Sequence, residues 1–154
     1  MTTRLLRSTT RGFELTVCLC RREENLGSKV GAASNYAMAL NEEDHRLFTS
    51  IRKTPMLIVL NTQTRNGVTR LRAAGECDDV FFDASRMRIY VIGGEGLISV
   101  FQQNDHNHYE LIANIPSGIG IRTRYFYTRR DRFYVGVPAR GNEPAQVWTY
   151  EAEH

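Results

Sequence analysis

The sequence predicts an all-β protein, and two observations carry this prediction. Short runs of β-branched and aromatic residues, such as MLIVL at 56–60 and LISVF at 97–101, alternate with turns rich in Gly, Asn, Asp and Pro. No stretch of comparable length shows the apolar period of 3.6 residues that an amphipathic helix requires. With 154 residues, 42% hydrophobic and 24% charged, the chain has the size and composition of one globular domain.

A repeat organises these strands. Residues 38–49 (MALNEEDHRLFT), 80–91 (VFFDASRMRIYV) and 124–135 (RYFYTRRDRFYV) align without gaps. Each copy contains an arginine followed by an apolar and then an aromatic residue. The copies are spaced by roughly 42 to 44 residues, which is the length of a four-stranded propeller blade.

The order of turns and strands within each copy predicts the architecture. After the arginine strand come a turn, a third strand, a polar turn and a fourth strand. We therefore predict a partial β-propeller of about three four-stranded antiparallel blades, over residues 35–76, 77–117 and 118–154. The last blade lacks its fourth strand, because the third strand at 145–150 is followed by only four residues.

The N-terminal region fits the repeat in part. Residues 17–34 resemble residues 58–76, and both stretches contain an Ala-Ala pair near their ends. This likeness predicts a two-stranded partial blade over residues 13–34. Residues 1–12 are polar and basic without periodicity, which predicts a flexible segment.

The stretch RIYVIGGEGLISVF at 88–101 resembles the tyrosine-valine-threonine-asparagine (YVTN) propeller repeat. In that repeat an Arg-apolar-Tyr-Val strand is followed by a Gly-rich turn and a second β-rich strand. The preceding FFDASRMRIYV (81–91) is similar to bacterial YncE-like proteins built from such repeats. The resemblance covers about residues 35–150. It implies a propeller fold and leaves the activity open.

Three blades are too few to close a ring, since propellers have typically four to eight. Either the chain is a fragment of a longer propeller, or two copies form a homodimer that closes a roughly six-bladed ring. In the second case residues 14–20 or 27–33 of each copy fill the open blade of the other. We expect self-association, because an open stack exposes a strand edge and an apolar blade face.

The predicted binding site is the propeller face where second strands turn into third strands and fourth strands lead to the next blade. Loops on a rigid scaffold concentrate binding residues. The candidate ligand-binding residues on this face are Asn35, Tyr36, Asp78, Asp79, Glu95, Arg122, Arg124 and Asn142.

Asp78 and Asp79 are weak candidates for a divalent cation such as Ca²⁺, which takes carboxylate oxygens. The favoured interpretation is that they cap a turn by accepting backbone N–H bonds. Arg122 and Arg124 either clamp an anion or, as we favour, form salt bridges with carboxylates of the neighbouring blade. His106 and His108 lie in a polar turn on the opposite face and are interpreted as solvated.

Two functions remain open. The favoured one is a non-catalytic binding or scaffolding propeller that recognises a small ligand or a protein partner on its loop face, with no cofactor. The alternative is a metal-assisted hydrolase of the lactonase type, with Asp78, Asp79, Asn35 and Asn142 as oxygen ligands. A metal enzyme should present oxygen ligands in nearly every blade, and the sequence does so in one.

Charge, hydropathy and cysteine content indicate which partners and which cellular location to expect. A net charge of +3 is too small to argue for nucleic acid, and no apolar run is long enough for a membrane span. Cys18, Cys20 and Cys77 do not form a Cys-x-x-Cys motif and are expected to be reduced. The expected location is cytoplasmic by default, or periplasmic or secreted if an export signal is missing from this sequence.

Overall fold

The computed structural model of the chain describes residues 3–10, 13–20, 35–52, 54–121 and 123–152, with backbone alone for 3–10, 13–20, 35, 36 and 128. These residues form antiparallel strands and one 3-10 turn at Thr128–Arg130. The strands are β1 Thr3–Thr10, β2 Phe13–Cys20, β3 Asn35–Asn41, β4 Arg46–Ile51, β5 Met56–Asn61, β6 Gly67–Arg72, β7 Cys77–Asp83, β8 Arg88–Gly93, β9 Leu97–Gln103, β10 Tyr109–Pro116, β11 Arg124–Tyr127, β12 Arg132–Val137 and β13 Gln146–Glu151.

The strands assemble into the blades that the repeat predicts. Strands β3 to β6 form blade 1, β7 to β10 form blade 2, and β11 to β13 form blade 3, and each sheet is a meander in chain order. Blade 3 has three strands among the described residues, so the edge of β13 carries no fourth strand there. The predicted all-β, partial-propeller fold is confirmed.

The N-terminal region differs from its prediction. Thr3–Thr10, within the segment expected to be flexible, form β1 and pair with β2. Among the described residues the partner of β2 is the strand before it, and the second strand that the sequence predicts at 27–33 lies outside them. FELTVCLC places Phe13, Leu15, Val17 and Leu19 at every second position, the pattern of a strand, whereas TRLLRSTT has no such period and its polar composition obscured β1.

Neighbouring blades stack face to face. Strands β3 and β4 contact β7, and β6 contacts β10. The core between blades 1 and 2 contains Ala37, Phe48, Leu57, Val59, Cys77, Val80, Ile89, Val91 and Phe101. The core between blades 2 and 3 contains Tyr90, Ile92, Ile98, Val100, Ile121, Phe126, Phe133 and Val135. Residues of β8 alternate between these cores, as the period of a strand buried on both faces requires.

Aromatic rings join the blades at both interfaces. Phe48 of blade 1 lies 5.2 Å from Phe82 of blade 2, measured between ring centroids. Phe81 of blade 2 lies 4.7 Å from Phe126 of blade 3. These tilted pairs add to the burial of apolar area that holds consecutive sheets together.

The turn before each arginine strand has the same backbone. His45, Met87 and Asp131 have φ angles of 55°, 53° and 52°, which is the left-handed region. Each precedes the repeat arginine by one residue. The sequence repeat is therefore also a repeat of a strained turn conformation.

Two further observations concern the described residues. No helix among them is long and apolar enough to cross a membrane. Cys77 is a buried free thiol, and burial raises its pKa. Cys18 and Cys20 lie on β2, and their side chains are outside the description.

Candidate functional site

The loop face is the surface formed by the connections at 52–55, 73–76, 94–96, 117–123 and 138–145. Hydrogen bonds tie these loops to one another across blades. Gly94 N–H donates to Glu76 O at 3.0 Å, and Gly120 N–H donates to Gly94 O at 2.7 Å. Backbone hydrogen bonds therefore link the connections at 73–76, 94–96 and 117–121 to one another.

Asp78 lies close to Arg52 of the preceding blade. The Arg52 guanidinium contacts the Glu76 carboxylate at 2.7 Å and that of Asp78 at 3.6 Å. Arg52 and Asp78 are mostly shielded from solvent, whereas Glu76 is exposed. Because Glu76 is exposed, its pair with Arg52 stabilises by about 0–1 kcal/mol, and its main effect is to orient the loops.

Asp79 pairs with Arg124 of the following blade. The Arg124 Nε lies 3.2 Å from Asp79 Oδ2, and another guanidinium nitrogen of Arg124 donates to Val80 O at 3.0 Å. The guanidinium also lies 4.5 Å from the centroid of the Phe81 ring. These contacts join the inner strands of blades 2 and 3 by charge, hydrogen bond and cation–π attraction together.

The electrostatics of this pair are dominated by burial. Desolvation raises the pKa of Asp79, and the attraction of Arg124 offsets that rise in part. Desolvation likewise lowers the pKa of Arg124. Both shifts arise because the two groups are partly removed from water. Removal of one partner would therefore leave the other charge desolvated and without its counter-charge.

The other predicted residues are scattered along the loop face. The Glu95 carboxylate lies over the Gly75 backbone, where a Cβ would fall 2.5 Å from its Oε2. Asn35 begins β3, opposite Ile51. Asn142 lies in the exposed connection 138–145. The side chain of Tyr36 and all of Arg122 are outside the described residues.

The described part of the chain contains no group of three or more His, Cys, Asp or Glu side chains able to hold a metal ion. Each carboxylate of the predicted acidic pair instead faces an arginine from an adjacent blade. This is the salt-bridge arrangement that the sequence interpretation favoured for Arg124.

The connection 138–145 is an exposed part of the loop face. Arg140 and Glu143 exchange two backbone hydrogen bonds, of 3.0 and 2.9 Å, around Gly141 and Asn142. Gly141 has a φ of 57°, which glycine adopts at no steric cost. The connection is thus a tight turn. Its residues from Pro138 to Ala145 are all exposed, and so are those of β13 apart from Tyr150.

The face opposite the loops, formed by the turns at 42–45, 62–66, 84–87 and 104–108, contains a polar network that sequence reasoning missed. His106 Nδ1 lies 2.8 Å from Asp44 Oδ1 in the preceding blade, and Gln103 donates to Asp44 Oδ2 at 2.6 Å. Arg46 donates to His106 O at 2.8 Å. Because these partners are about 60 residues apart in sequence, only the stacking of blades brings them together.

A cavity of about 340 Å³ lies between blades 2 and 3. Its lining is Arg88, Tyr90, Ile98, Val100, Ile112, Ala113, Ile115, Phe126, Phe133, Tyr150, Glu151 and Ala152. The lining is mainly apolar, with Arg88 and Glu151 as its charged members. It adjoins the edge of β13 that pairs with no strand among the described residues.

Known structures agree with the propeller fold. The chain is similar to the β-propeller domain of Cps50 (Swd1) from Myceliophteria thermophila, with a TM-score of 0.62 and 13% identity over 97% of this chain and 50% of that one. It is also similar to a chain of a mitotic checkpoint complex, with a TM-score of 0.63 and 12% identity over 77% of this chain and 36% of that one.

A third similar structure is a candidate 6-phosphogluconolactonase from Bacteroides uniformis, with a TM-score of 0.52 and 10% identity over 77% of this chain and 41% of that one. The chain therefore spans between about a third and a half of the structures it matches. At these identities the likeness shows the fold alone.

No protein-family model and no curated protein sequence matches the chain. The fold and the stacking of its sheets define a partial β-propeller. The resemblance to YVTN and YncE-like repeats stays a prediction.

Proposed function

We propose that this chain is a non-catalytic binding module whose loop face recognises a protein partner. The observation that carries the proposal is the pairing of Asp78 with Arg52 and of Asp79 with Arg124. Carboxylates that bind a catalytic cation converge on one point and leave their oxygens free for it. Here the carboxylates hold adjacent blades together, which suits a rigid recognition surface.

The turn at 138–145 supplies an exposed part of that surface. It presents Arg140, Asn142 and Glu143, which offer both charges and an amide to a partner, and its backbone is already closed by the Arg140–Glu143 bonds. A preorganised turn loses little conformational entropy on binding. Arg is also among the residue types enriched at binding hot spots.

Self-association is the second part of the proposal. The chain spans about a third to a half of the similar propeller structures, and blade 3 ends in an unpaired strand edge within the described residues. A homodimer that closes a ring of roughly six blades covers both that edge and the exposed blade face.

The loop-face proposal is tested with a double variant, Arg140→Ala with Asn142→Ala. The immobilised full chain and the variant are compared for proteins retained from a lysate of the source cells, with identification by mass spectrometry and confirmation with each purified protein. We expect at least one purified protein to bind the wild-type chain and to bind the variant about tenfold more weakly. Equal binding to both chains would refute recognition by this turn.

The matched control is Arg129→Ala with Arg130→Ala, which removes two exposed charges from the opposite face. This control should bind as the wild type does. A loss of binding in the control would show that net charge, and not the loop face, drives the interaction.

The hydrolase alternative is tested directly on 6-phosphogluconolactone with added Ca²⁺, Mg²⁺, Mn²⁺ or Zn²⁺. We expect hydrolysis no faster than in buffer with the same ion. Hydrolysis that is accelerated by the chain and lost in Asp79→Asn would replace the binding proposal with the metal-assisted one.

A further inference from the structure

Tyr109, the first residue of β10, fills a socket between blades 1 and 2. Its ring lies 6.0 Å from that of Phe48 at an interplanar angle of 72°, and its hydroxyl donates to His106 O at 3.2 Å. Burial raises the pKa of Tyr109 to about 12 although the nearby Arg46 lowers it. The fourth strand of blade 2 thus anchors itself on blade 1 through one aromatic side chain.

The repeat places the same socket between blades 2 and 3. Arg88 and Tyr90 occupy the positions that Arg46 and Phe48 hold in blade 1, and both line the cavity between blades 2 and 3. The cavity also contains Phe126 and Phe133, so it continues the core of this interface. It lies where the fourth strand of blade 3 would insert its first aromatic residue.

The sequence of β2 has the pattern of a fourth strand. FELTVCL at 13–19 matches YELIANI at 109–115 as aromatic, Glu, Leu and then alternating apolar residues. Phe13 therefore corresponds to Tyr109, and Leu15 to Leu111. Among the described strands, β2 pairs with β1 on one edge, and no strand is recorded on its other edge.

We propose that β2 of a second copy of this chain adds antiparallel to β13 and places Phe13 in the cavity between blades 2 and 3. This inference rests on the self-association proposed above and specifies its contact. It is a β-augmentation, in which main-chain hydrogen bonds supply the pairing and a side-chain pocket supplies the register.

The donor is a second copy because of where the two strands lie in the chain. Strand β2 precedes blade 1, β13 ends blade 3, and blade 2 stacks between those blades. Pairing within one chain would require the two ends of a three-blade stack to meet. Two copies related by a twofold axis satisfy both open edges at once.

The register follows from blade 2. Tyr109 lies opposite Gln103, and Leu111 lies opposite Phe101. The equivalent positions of blade 3 place Phe13 opposite Ala152 and Leu15 opposite Tyr150, since Val91 pairs with Ser99 as Val135 pairs with Trp148. Ala152 is one of the residues that line the cavity, so this register brings position 13 next to it.

This register has a consequence that other modes of dimerisation lack. Glu14 of the incoming strand lies opposite Glu151, as Glu110 lies opposite Gln102 in blade 2. Like charges directly opposite on neighbouring strands are destabilising. Replacing Glu151 by Gln recreates the Glu–Gln pair of blade 2, so Glu151→Gln should strengthen the dimer.

The proposal is tested by sedimentation equilibrium of the full chain and three variants. We expect the wild type to dimerise, with a mass twice the 17.6 kDa of one chain. Phe13→Ala should raise the dimer dissociation constant about tenfold or more, Glu151→Gln should lower it severalfold, and Arg129→Ala should leave it unchanged. Circular dichroism establishes that each variant is folded.

A peptide of residues 11–20 with Ser in place of both cysteines provides a second measurement on the intact protein. It should bind the Phe13→Ala chain, whose own β2 competes poorly, and the peptide with Ala at position 13 should bind at least tenfold more weakly. Absence of peptide binding, or equal binding of both peptides, would overturn the proposal even if a protein variant fails to fold.

The outcomes separate this inference from the proposals beneath it. A dimer that Phe13→Ala and Glu151→Gln leave unchanged would refute the β2 contact while self-association stands. A wild-type chain that stays monomeric at all concentrations would refute both the contact and self-association. Neither result affects the loop-face proposal, which is measured with the Arg140 and Asn142 variant.

Discussion

Asp44 and Arg86 occupy the same position of the repeat and carry opposite charges, yet each reaches into the following blade. Asp44 contacts His106 of blade 2 at 2.8 Å, and Arg86 contacts Asp131 of blade 3 at 3.0 Å. The aspartate contacts a histidine, and the arginine contacts an aspartate. Adjacent blades are therefore joined by different side-chain contacts at each interface.

Arg86→Met should lower the free energy of unfolding by about 3 kcal/mol. The Arg86 side chain is 7% exposed and neutralises Asp83, which is 4% exposed, at 3.1 Å. Loss of the guanidinium leaves the Asp83 carboxylate buried without its ion-pair partner. Urea denaturation measures the change, and Asp131→Asn should cost less because Asp131 is 39% exposed. Equal costs for the two variants would contradict this description of the pair.

Gly93→Ala should destabilise the chain by about 2 kcal/mol or more. A Cβ at this position would lie 2.5 Å from Gly75 O and 2.6 Å from the Ala74 side chain, and the backbone cannot yield easily there. Gly136→Ala is the control, since its nearest contact is an ordinary 3.4 Å to Thr123. Thermal unfolding should show a lower melting temperature for Gly93→Ala alone. Similar shifts for both variants would argue against close approach of the 73–76 loop to β8.

His45→Gly should stabilise the chain by about 0.5–1 kcal/mol. His45 is exposed and has a φ of 55°, which strains every residue except glycine. The free energy gained by relief of this strain exceeds the free-energy cost of the larger conformational entropy that glycine has in the unfolded state. His45→Ala keeps the strain and removes the same side chain, so it should show no gain in chemical denaturation. A gain from both variants would assign the effect to the imidazole instead.

Tyr109 should titrate near pH 12, above its usual value of 10.0. A raised pKa in the folded state means that this group contributes stability below pH 10, and that the contribution is lost as the pH rises through 10 towards 12. The ultraviolet absorbance of tyrosinate in the wild type, minus that of Tyr109→Phe, isolates this group. Ionisation near pH 10 in the folded chain would show that the Tyr109 socket is open to water.

The architecture was predictable because the repeat consists of residues with strong backbone preferences. β-Branched and aromatic residues favour strands, and Gly, Asn, Asp and Pro favour turns. The arginine strands aligned without gaps, at a spacing of roughly 42 to 44 residues that is the length of one propeller blade. The hairpin of β1 and β2 was not predicted, because a short strand rich in Arg and Thr has the composition of a polar segment.

Contacts between blades were less accessible to sequence reasoning. The pairing of Arg124 with a neighbouring carboxylate was anticipated from their shared face. The network around Asp44 was missed, because His106 and Gln103 are separated from it by about 60 residues and resemble ordinary turn residues. The cavity at the edge of blade 3 depends on the shape of two sheets, which no linear pattern records.

The most direct test of the stacked blades is proton nuclear Overhauser spectroscopy of two aromatic pairs. Ring protons of Phe48 and Tyr109, with centroids 6.0 Å apart, report the interface of blades 1 and 2. Ring protons of Phe81 and Phe126, with centroids 4.7 Å apart, report the interface of blades 2 and 3. Consecutive blades predict cross-peaks for both pairs. Absence of either cross-peak in spectra with assigned rings would contradict the propeller arrangement.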